Sequence, residues 1–266
     1  MAKNFLFIVE GEIDEKTLFS RVLERYGFNA IVCGEKLDLE NVGQLSKLEY
    51  SLDTNNIVII QGPRNRIHDF LKYYNDNCYS VERAFHYEYA YFKGIFLIYD
   101  VDHNDCDDVS EMFAKFNDES SGMLLLSSPC IEVLGDYDLD RKEEKYHRIN
   151  EYKVDLNNYY SSLKTNTIDY IVNNFEKSAI YFIRKNCEDF KENNIMEHPR
   201  LVVEWINKFN ERVNCENKDE SYVIYRYFTT VIYVSIAYIN GLTKDIDNAG
   251  EVISFFESRL SNKWCI

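Results

Sequence analysis

Two short apolar runs that end at carboxylates constrain the fold of this chain more than any other feature. The first run is Phe5–Val9, followed by Glu10, and the second is Ile95–Tyr99, followed by Asp100 and Asp102. Runs of this kind, rich in β-branched and aromatic residues, are typical of fully buried strands in a parallel sheet. Because ligands of open α/β sheets gather outside the carboxyl ends of the strands, we expect both acidic groups to face one crevice.

The acidic residues at these strand ends predict a divalent metal site. Carboxylates are the ligands that hard cations such as Mg²⁺ or Mn²⁺ prefer. One residue separates Asp100 from Asp102, so their side chains are expected on the same side of the strand end. Gly11, next to Glu10, permits a tight turn and the close approach of a ligand. Asp14 is either a helix cap or a further metal ligand.

The order of strand and helix patterns predicts an α/β fold with a mostly parallel sheet, followed by an all-helical C-terminal region. Strands are expected at 4–9, 29–33, 57–60, 95–99 and 123–126, and helices at 14–26, 64–76 and 106–117, with another starting at Ser128–Pro129. Later helices are expected at 167–193, 199–213, 221–239 and 247–260. We therefore predict a metal-binding domain over residues 1–140 and a helical domain over residues 150–266, with the charged stretch 136–153 as the connection.

The net charge of −15 argues against broad electrostatic binding of nucleic acid, which usually requires a basic surface. Residues 1–150 carry 16 Lys and Arg against 28 Asp and Glu, so the acid is concentrated around the predicted metal crevice. Any nucleic acid would be held through metal, a partner chain or local basic clusters. The candidates for phosphate contacts are Arg64, Arg66, Arg141, Lys142, Lys145 and Arg148.

The cysteines and the apolar segments predict a cytoplasmic protein with no membrane association. The seven cysteines are scattered and include no Cys-x-x-Cys pair. No secretory signal is recognisable, and the apolar stretch Tyr222–Ile239 is interrupted by Arg226, which favours a core helix. These features fit a reducing compartment.

Three other chemical interpretations of the acidic and cysteine residues are weaker. The run Asp100–Glu111 nearly matches an EF-hand calcium loop, but Asp105 stands where the turn needs glycine, and a strand precedes it. His103 and Cys106 lack a second pair of ligands at zinc spacing. Cys130, as a nucleophile, has no evident base or cation nearby in the sequence.

Glu132 lies in a third candidate segment, after the strand ends at Glu10 and at Asp100. If Ser128 caps a helix and Pro129 takes its first position, Glu132 falls one residue beyond the place that a capping box requires. A local structural role is therefore less available to it. Since it follows the predicted strand 123–126, we expect it near the same sheet edge.

These motifs together resemble a known family. Val9–Glu12, followed by Tyr99–Asp102, resembles the Toprim domain shared by topoisomerases, primases and several nucleases. With Ser128–Glu132 added, the chain is similar to the stand-alone Toprim effectors of bacterial defence, among them the OLD-family nucleases and the Toprim partner of the ATPase in PARIS-type anti-phage systems. The resemblance covers residues 4–135 and departs from the family at Asp105, where many members have glycine.

The resemblance implies a Toprim-like, Rossmann-like fold and a metal-dependent endonuclease acting on RNA, such as tRNA, or on DNA. It implies catalytic roles for Glu10, Asp100 and Asp102. The implied ligands of Mg²⁺ or Mn²⁺ are Glu10, Asp14, Asp100, Asp102 and Glu132. The protein would be a toxic effector of an anti-phage system, controlled by an ABC- or SMC-like ATPase partner.

Two alternative functions remain open from the sequence. One is a non-catalytic acidic subunit that senses or binds an ATPase, and the other is a primase-like nucleotidyl transferase using the same acids. The tyrosine-rich stretch 222–238 also predicts self-association, because a helix that is aromatic on several faces must be buried on several sides. A homodimer or an ATPase contact would bury it, as would the helices of the monomer itself.

Overall fold

A computed structural model describes residues 3–36, 53–62, 66–76, 92–101, 106–118, 122–138, 149–190, 228–231 and 249–262. The chain divides into two compact units, Met1–Leu125 and Leu126–Ile266. The predicted domains, residues 1–140 and 150–266, remain a prediction. None of the helices in the ranges above is both long and apolar enough to cross a membrane.

The first unit alternates strands and helices. In chain order these are β1 (Asn4–Val9), α1 (Asp14–Arg25), β2 (Asn29–Lys36), β3 (Asn56–Gln61), α2 (Ile67–Asp76), β4 (Phe92–Asp100), α3 (Cys106–Lys115) and β5 (Asn117–Asp118). β6 (Gly122–Ser128) crosses the boundary between the units. The second unit continues with a 3₁₀ helix (Ile131–Asp138), α4 (Ile149–Ser162), α5 (Thr167–Phe190), β7 (Phe228–Thr229) and α6 (Ala249–Asn262).

The strands form one sheet in the order β2-β3-β1-β4-β6-β5, with β7 paired to β6. Five of the strands form the parallel part, whereas β5 and β7 are antiparallel to β6. β1 lies between β3 and β4 and pairs in parallel with both. Its residues from Phe5 to Val9 are all buried, so the side chains on both of its faces are in the core. The prediction of an α/β fold with a mostly parallel sheet is confirmed.

Aromatic packing between α1 and the sheet fills part of the core of the first unit. The ring of Phe7 lies 5.6 Å from that of Phe19 and 5.5 Å from that of Phe96, both in edge-to-face geometry. Such pairs contribute roughly 0.5–1.5 kcal/mol each beyond their burial. Gly27 lies two residues after the end of α1, and its φ of +82° is a left-handed conformation that glycine adopts without strain.

Tyrosine hydroxyls connect α4 to the 3₁₀ helix in the second unit. The hydroxyl of Tyr152 donates to Asp136 Oδ2 at 2.5 Å, and that of Tyr160 donates to the carbonyl oxygen of Gly135. Both tyrosines are fully buried. A buried hydroxyl is costly without a hydrogen bond, so these contacts fix the helices in one arrangement.

Three predicted elements of the second unit need correction. α4 begins inside the stretch 136–153 that was expected to be a connection, and a 3₁₀ helix replaces the helix expected to start at Ser128–Pro129. The C-terminal region is not all-helical, because β7 falls within the helix predicted at 221–239 and pairs with the end of β6. The remainder of that stretch, apart from 228–231, and the helix predicted at 199–213 lie outside the described residues.

Candidate metal centre

Hydrogen bonds between the main chain of Glu10 and two neighbouring strands fix this residue at the end of β1. Its N–H donates to the carbonyl oxygen of Ile98 on β4 at 3.0 Å. On the other side, Gln61 Nε2 at the end of β3 donates to the carbonyl oxygen of Glu10 at 3.2 Å. The backbone that carries this carboxylate therefore stays in register with both strands.

The carboxylate of Glu10 reaches the end of β4. The main-chain N–H of Asp100 donates to Glu10 Oε2 at 2.8 Å, a charge-assisted hydrogen bond. Asp100 is the last residue of β4 and is buried, with 7% of its surface exposed. A carboxylate that is so buried needs hydrogen bonds or a cation to compensate for lost hydration. The structure thus brings together two predicted site residues, Glu10 and Asp100.

The pKa of Tyr99 depends on its burial and on the charge of Glu10. Burial raises the pKa of its phenol well above 10.0, and the negative charge of Glu10 raises it further. Its ring packs edge-to-face on Phe70 of α2, with centroids 6.0 Å apart. Within the described residues the hydroxyl has no hydrogen-bond partner. The phenol therefore remains neutral next to Glu10.

Glu15 is an acid of this region that the sequence prediction missed. A Cβ atom at Gly11 would lie only 1.6 Å from Glu15 Oε2, so the Glu15 carboxylate covers the glycine that follows Glu10. Glu15 is buried, whereas the predicted ligand Asp14 is exposed at the first turn of α1. Helical periodicity indicates that Glu15 is on the buried face of α1, because it precedes the buried residues Leu18 and Phe19 by three and four positions.

The second unit contains two further possible metal ligands, Cys130 and Glu132. Their ligand atoms lie within 4.8 Å of each other, and the Cys130 thiol is buried and free of any disulfide. Glu132 Oε1 is 3.4 Å from Lys153 Nζ. Glu132 Oε2 is buried and has no hydrogen-bond partner in the described part of the chain. An oxygen in that position is suited to bind a cation.

The predicted phosphate contacts are described only in part. Arg66 is exposed immediately before α2. The predicted metal ligand Asp102 lies outside the described residues. So do the other predicted basic residues, which are Arg64, Arg141, Lys142, Lys145 and Arg148. Lys153, which the sequence prediction did not select, is the described cation beside Glu132.

Comparison of the chain with protein-family models, curated proteins and solved structures finds no match.

Proposed function

We propose that this chain is a divalent-metal-dependent nuclease of Toprim type that cleaves phosphodiester bonds in RNA or DNA. The observation that carries the proposal is the hydrogen bond between the Asp100 N–H and Glu10 Oε2, 2.8 Å, at the ends of two adjacent parallel strands. It holds the Glu10 carboxylate next to Asp100, at the edge of the sheet where α/β proteins bind ligands.

The available donors fit a hard cation. Glu10 and Asp100 supply carboxylate oxygens, which Mg²⁺ and Mn²⁺ prefer over sulfur. In the second unit, Glu132 supplies a carboxylate and Cys130 a thiol. We include Glu132 as a further ligand because, like Glu10 and Asp100, it stands at or just after the end of a strand, here β6. The thiol of Cys130 is a softer donor and is not expected to be a ligand of Mg²⁺.

The chemistry requires little movement of the protein. A bound divalent ion would polarise the scissile phosphate and lower the pKa of a water molecule. Gln61 and the Ile98 carbonyl hold the main chain of Glu10, and Glu10 in turn accepts from the Asp100 N–H. Carboxylates fixed in advance would hold an ion where it stabilises the negative charge that develops on the phosphate, without reorganisation at the moment of reaction.

The biological setting follows from the Toprim resemblance. Under this proposal the protein is a cytoplasmic, toxic effector of anti-phage defence, and a partner ATPase keeps it inactive. The substrate would then be tRNA or phage nucleic acid. This part of the proposal depends on motif spacing alone.

Labelled RNA and DNA, incubated with the purified protein in Mg²⁺, Mn²⁺ or EDTA, test the activity. We expect cleavage with either metal and none in EDTA. Glu10→Gln should lower the rate at least about 100-fold, because it removes a carboxylate that binds the ion. Glu12→Gln is the matched control, since Glu12 is exposed two residues away, and it should retain the rate.

Two results would overturn the proposal. One is wild-type protein that cleaves neither polymer with either metal, and the other is Glu10→Gln protein that folds and cleaves as fast as wild type. Labelled nucleoside triphosphates in the same reactions detect the competing activity. Their incorporation into a primer without net cleavage would indicate a nucleotidyl transferase and reject the hydrolase.

A further inference from the structure

A basic cleft of about 680 Å³ lies in the second unit. It is lined by three cations, two tyrosines and one acid, which are Lys177, Arg184, Lys185, Tyr137, Tyr181 and Glu257. Clefts that bind small ligands have volumes of roughly 300–1,000 Å³, so this one has room for a single nucleotide. None of these residues belongs to the candidate metal centre.

The spacing of residues on α5 explains why the cations share the cleft. Lys177, Tyr181 and Arg184 follow one another at intervals of four and three residues, which places them on one face of a helix, and Lys185 adjoins Arg184. The opposite face is core, since Phe175, Phe182 and Ile183 are buried. The cations therefore stand on the solvent side of a helix that the core holds in place.

The charge of the cleft is opposite to that of the whole chain. Its three cations face one carboxylate, whereas the net charge of the protein is −15. Arg184 Nη2 lies 2.9 Å from Glu257 Oε1, but the two side chains are 58% and 50% exposed. Exposed ion pairs are weak, and a guanidinium binds phosphate in the same bidentate manner as carboxylate. A phosphate can therefore compete with Glu257 for Arg184.

The two tyrosines provide aromatic surface beside these cations. The ring of Tyr137 stacks on that of Tyr170, with centroids 6.1 Å apart and an interplanar angle of 22°, and this contact fixes its orientation. Lys185 Nζ lies 5.9 Å from the centroid of the Tyr181 ring. Aromatic rings next to cations are what proteins use to bind bases and phosphates of single strands. Ile180 and Leu260 add apolar surface to the same cleft.

We propose that the basic cleft binds one nucleotide unit, with its phosphate at Lys177, Arg184 and Lys185 and its base against Tyr137 and Tyr181. A free nucleotide and one nucleotide of a single strand share this chemistry. The site goes beyond the proposed nuclease and needs no divalent ion. Binding measured in EDTA therefore succeeds or fails independently of cleavage.

Fluorescence anisotropy of short labelled single-stranded RNA and DNA, with ATP and AMP as competitors, tests the site on the full chain in EDTA. With three cations at the phosphates, the logarithm of affinity should fall against the logarithm of salt concentration with a slope of about −2. Lys177→Glu should weaken binding at least about tenfold and make the slope shallower by about 0.7. Tyr181→Leu should weaken binding at least about fivefold and leave the slope unchanged.

Lys72→Glu is the matched control, because Lys72 is exposed on α2 and the charge change is the same. It should leave affinity within about twofold of wild type. If Lys177→Glu does not fold, Lys177→Gln gives the same comparison with a smaller effect. ATP that competes as well as an oligonucleotide identifies a free-nucleotide site, and binding of oligonucleotides alone identifies a strand site.

Two outcomes would overturn the inference. The first is wild-type protein that binds neither nucleotides nor oligonucleotides in EDTA. The second is an equal loss for Lys177→Glu and Lys72→Glu, since binding would then depend on overall charge and not on the cleft. Glu10→Gln protein should bind as wild type does, so loss of cleavage with intact binding separates the two proposals.

Discussion

The acidic strand ends of the first unit and the basic cleft of the second unit hold their charges in different ways. Glu10 and Asp100 are tied to neighbouring strands by hydrogen bonds, including the one of 2.8 Å between them. The cations of the cleft stand on long side chains along one face of α5, and the side chain of Arg184 is 58% exposed. A carboxylate fixed as that of Glu10 is matches the rigid coordination that Mg²⁺ demands, whereas cations at the ends of long side chains suit the variable backbone of a nucleotide strand.

Glycine substitutions should show the largest difference between the two units. A Cβ at Gly135 would lie 2.5 Å from the hydroxyl oxygen of Tyr160, whose buried ring stacks on Tyr170 at 4.4 Å and cannot turn away. We expect Gly135→Ala to lower the free energy of unfolding by about 3 kcal/mol through overpacking and the loss of a buried hydrogen bond. Gly11→Ala meets only the flexible end of Glu15 and should cost about 1 kcal/mol.

Urea denaturation of both alanine variants measures this difference. Tyr160→Phe removes the oxygen that collides, so the double variant Gly135→Ala/Tyr160→Phe should be less destabilised than the sum of the single variants. Equal costs at Gly11 and Gly135 would show that the second unit is no more rigid around its glycine than the first.

Divalent ions should stabilise the wild-type protein through Asp100. Binding to the native state alone adds about 2.7 kcal/mol at a concentration 100 times the dissociation constant. Asp100→Asn should lose most of this gain, whereas Asp76→Asn, at an exposed site at the end of α2, should keep it. Thermal melting with and without millimolar Mg²⁺ or Mn²⁺ makes the comparison. A wild-type melting curve that neither ion shifts would argue against a metal at this edge.

The first unit could be predicted from sequence because its strands are continuous apolar runs. β1 was predicted with its full bounds, and β3, β4 and β6 were placed within three residues at each end. The ends of two strands located Glu10 and Asp100, because a buried strand must stop where charge begins. Glu15 was not predicted; it is buried, one position after the predicted ligand Asp14, which is exposed on α1. A shift of one residue turns a side chain by about 100° around a helix.

The second unit was less predictable because its decisive contacts join distant segments. α4 was missed since its buried face, Tyr152, Leu156 and Tyr160, is narrow and lies among polar residues. β7 has two residues, too few for any alternation to be visible. The cations on α5 look like an ordinary solvated helix face, and only Tyr137 and α6 make them the wall of a cleft. Sequence periodicity shows which face is polar, but not what lies opposite it.

The buried tyrosine hydroxyls of the two units have different surroundings. In the second unit, the hydroxyl of Tyr152 donates to the buried carboxylate of Asp136 at 2.5 Å. In the first unit, the buried hydroxyl of Tyr99 has no hydrogen-bond partner among the described residues, and it stands near the charge of Glu10. The Tyr152 hydroxyl therefore compensates a buried carboxylate, whereas the pKa of the Tyr99 hydroxyl depends in part on the charge of Glu10.

The smallest expected effect is an alkaline loss of stability that depends on Tyr99. The unfolded phenol titrates near pH 10, while burial first and the charge of Glu10 second raise its pKa in the native state. Between these two values the native state binds more protons, so the free energy of unfolding falls as pH rises.

Tyr99→Phe should match wild type at neutral pH and lose up to about 1.4 kcal/mol less for each pH unit above 10. Denaturation of both proteins in urea between about pH 8 and pH 11 measures this difference. Parallel curves for wild type and Tyr99→Phe would contradict the raised pKa. Glu10→Gln should weaken the alkaline loss only in part, because burial is the larger cause and the charge of the strand-end carboxylate is the smaller one.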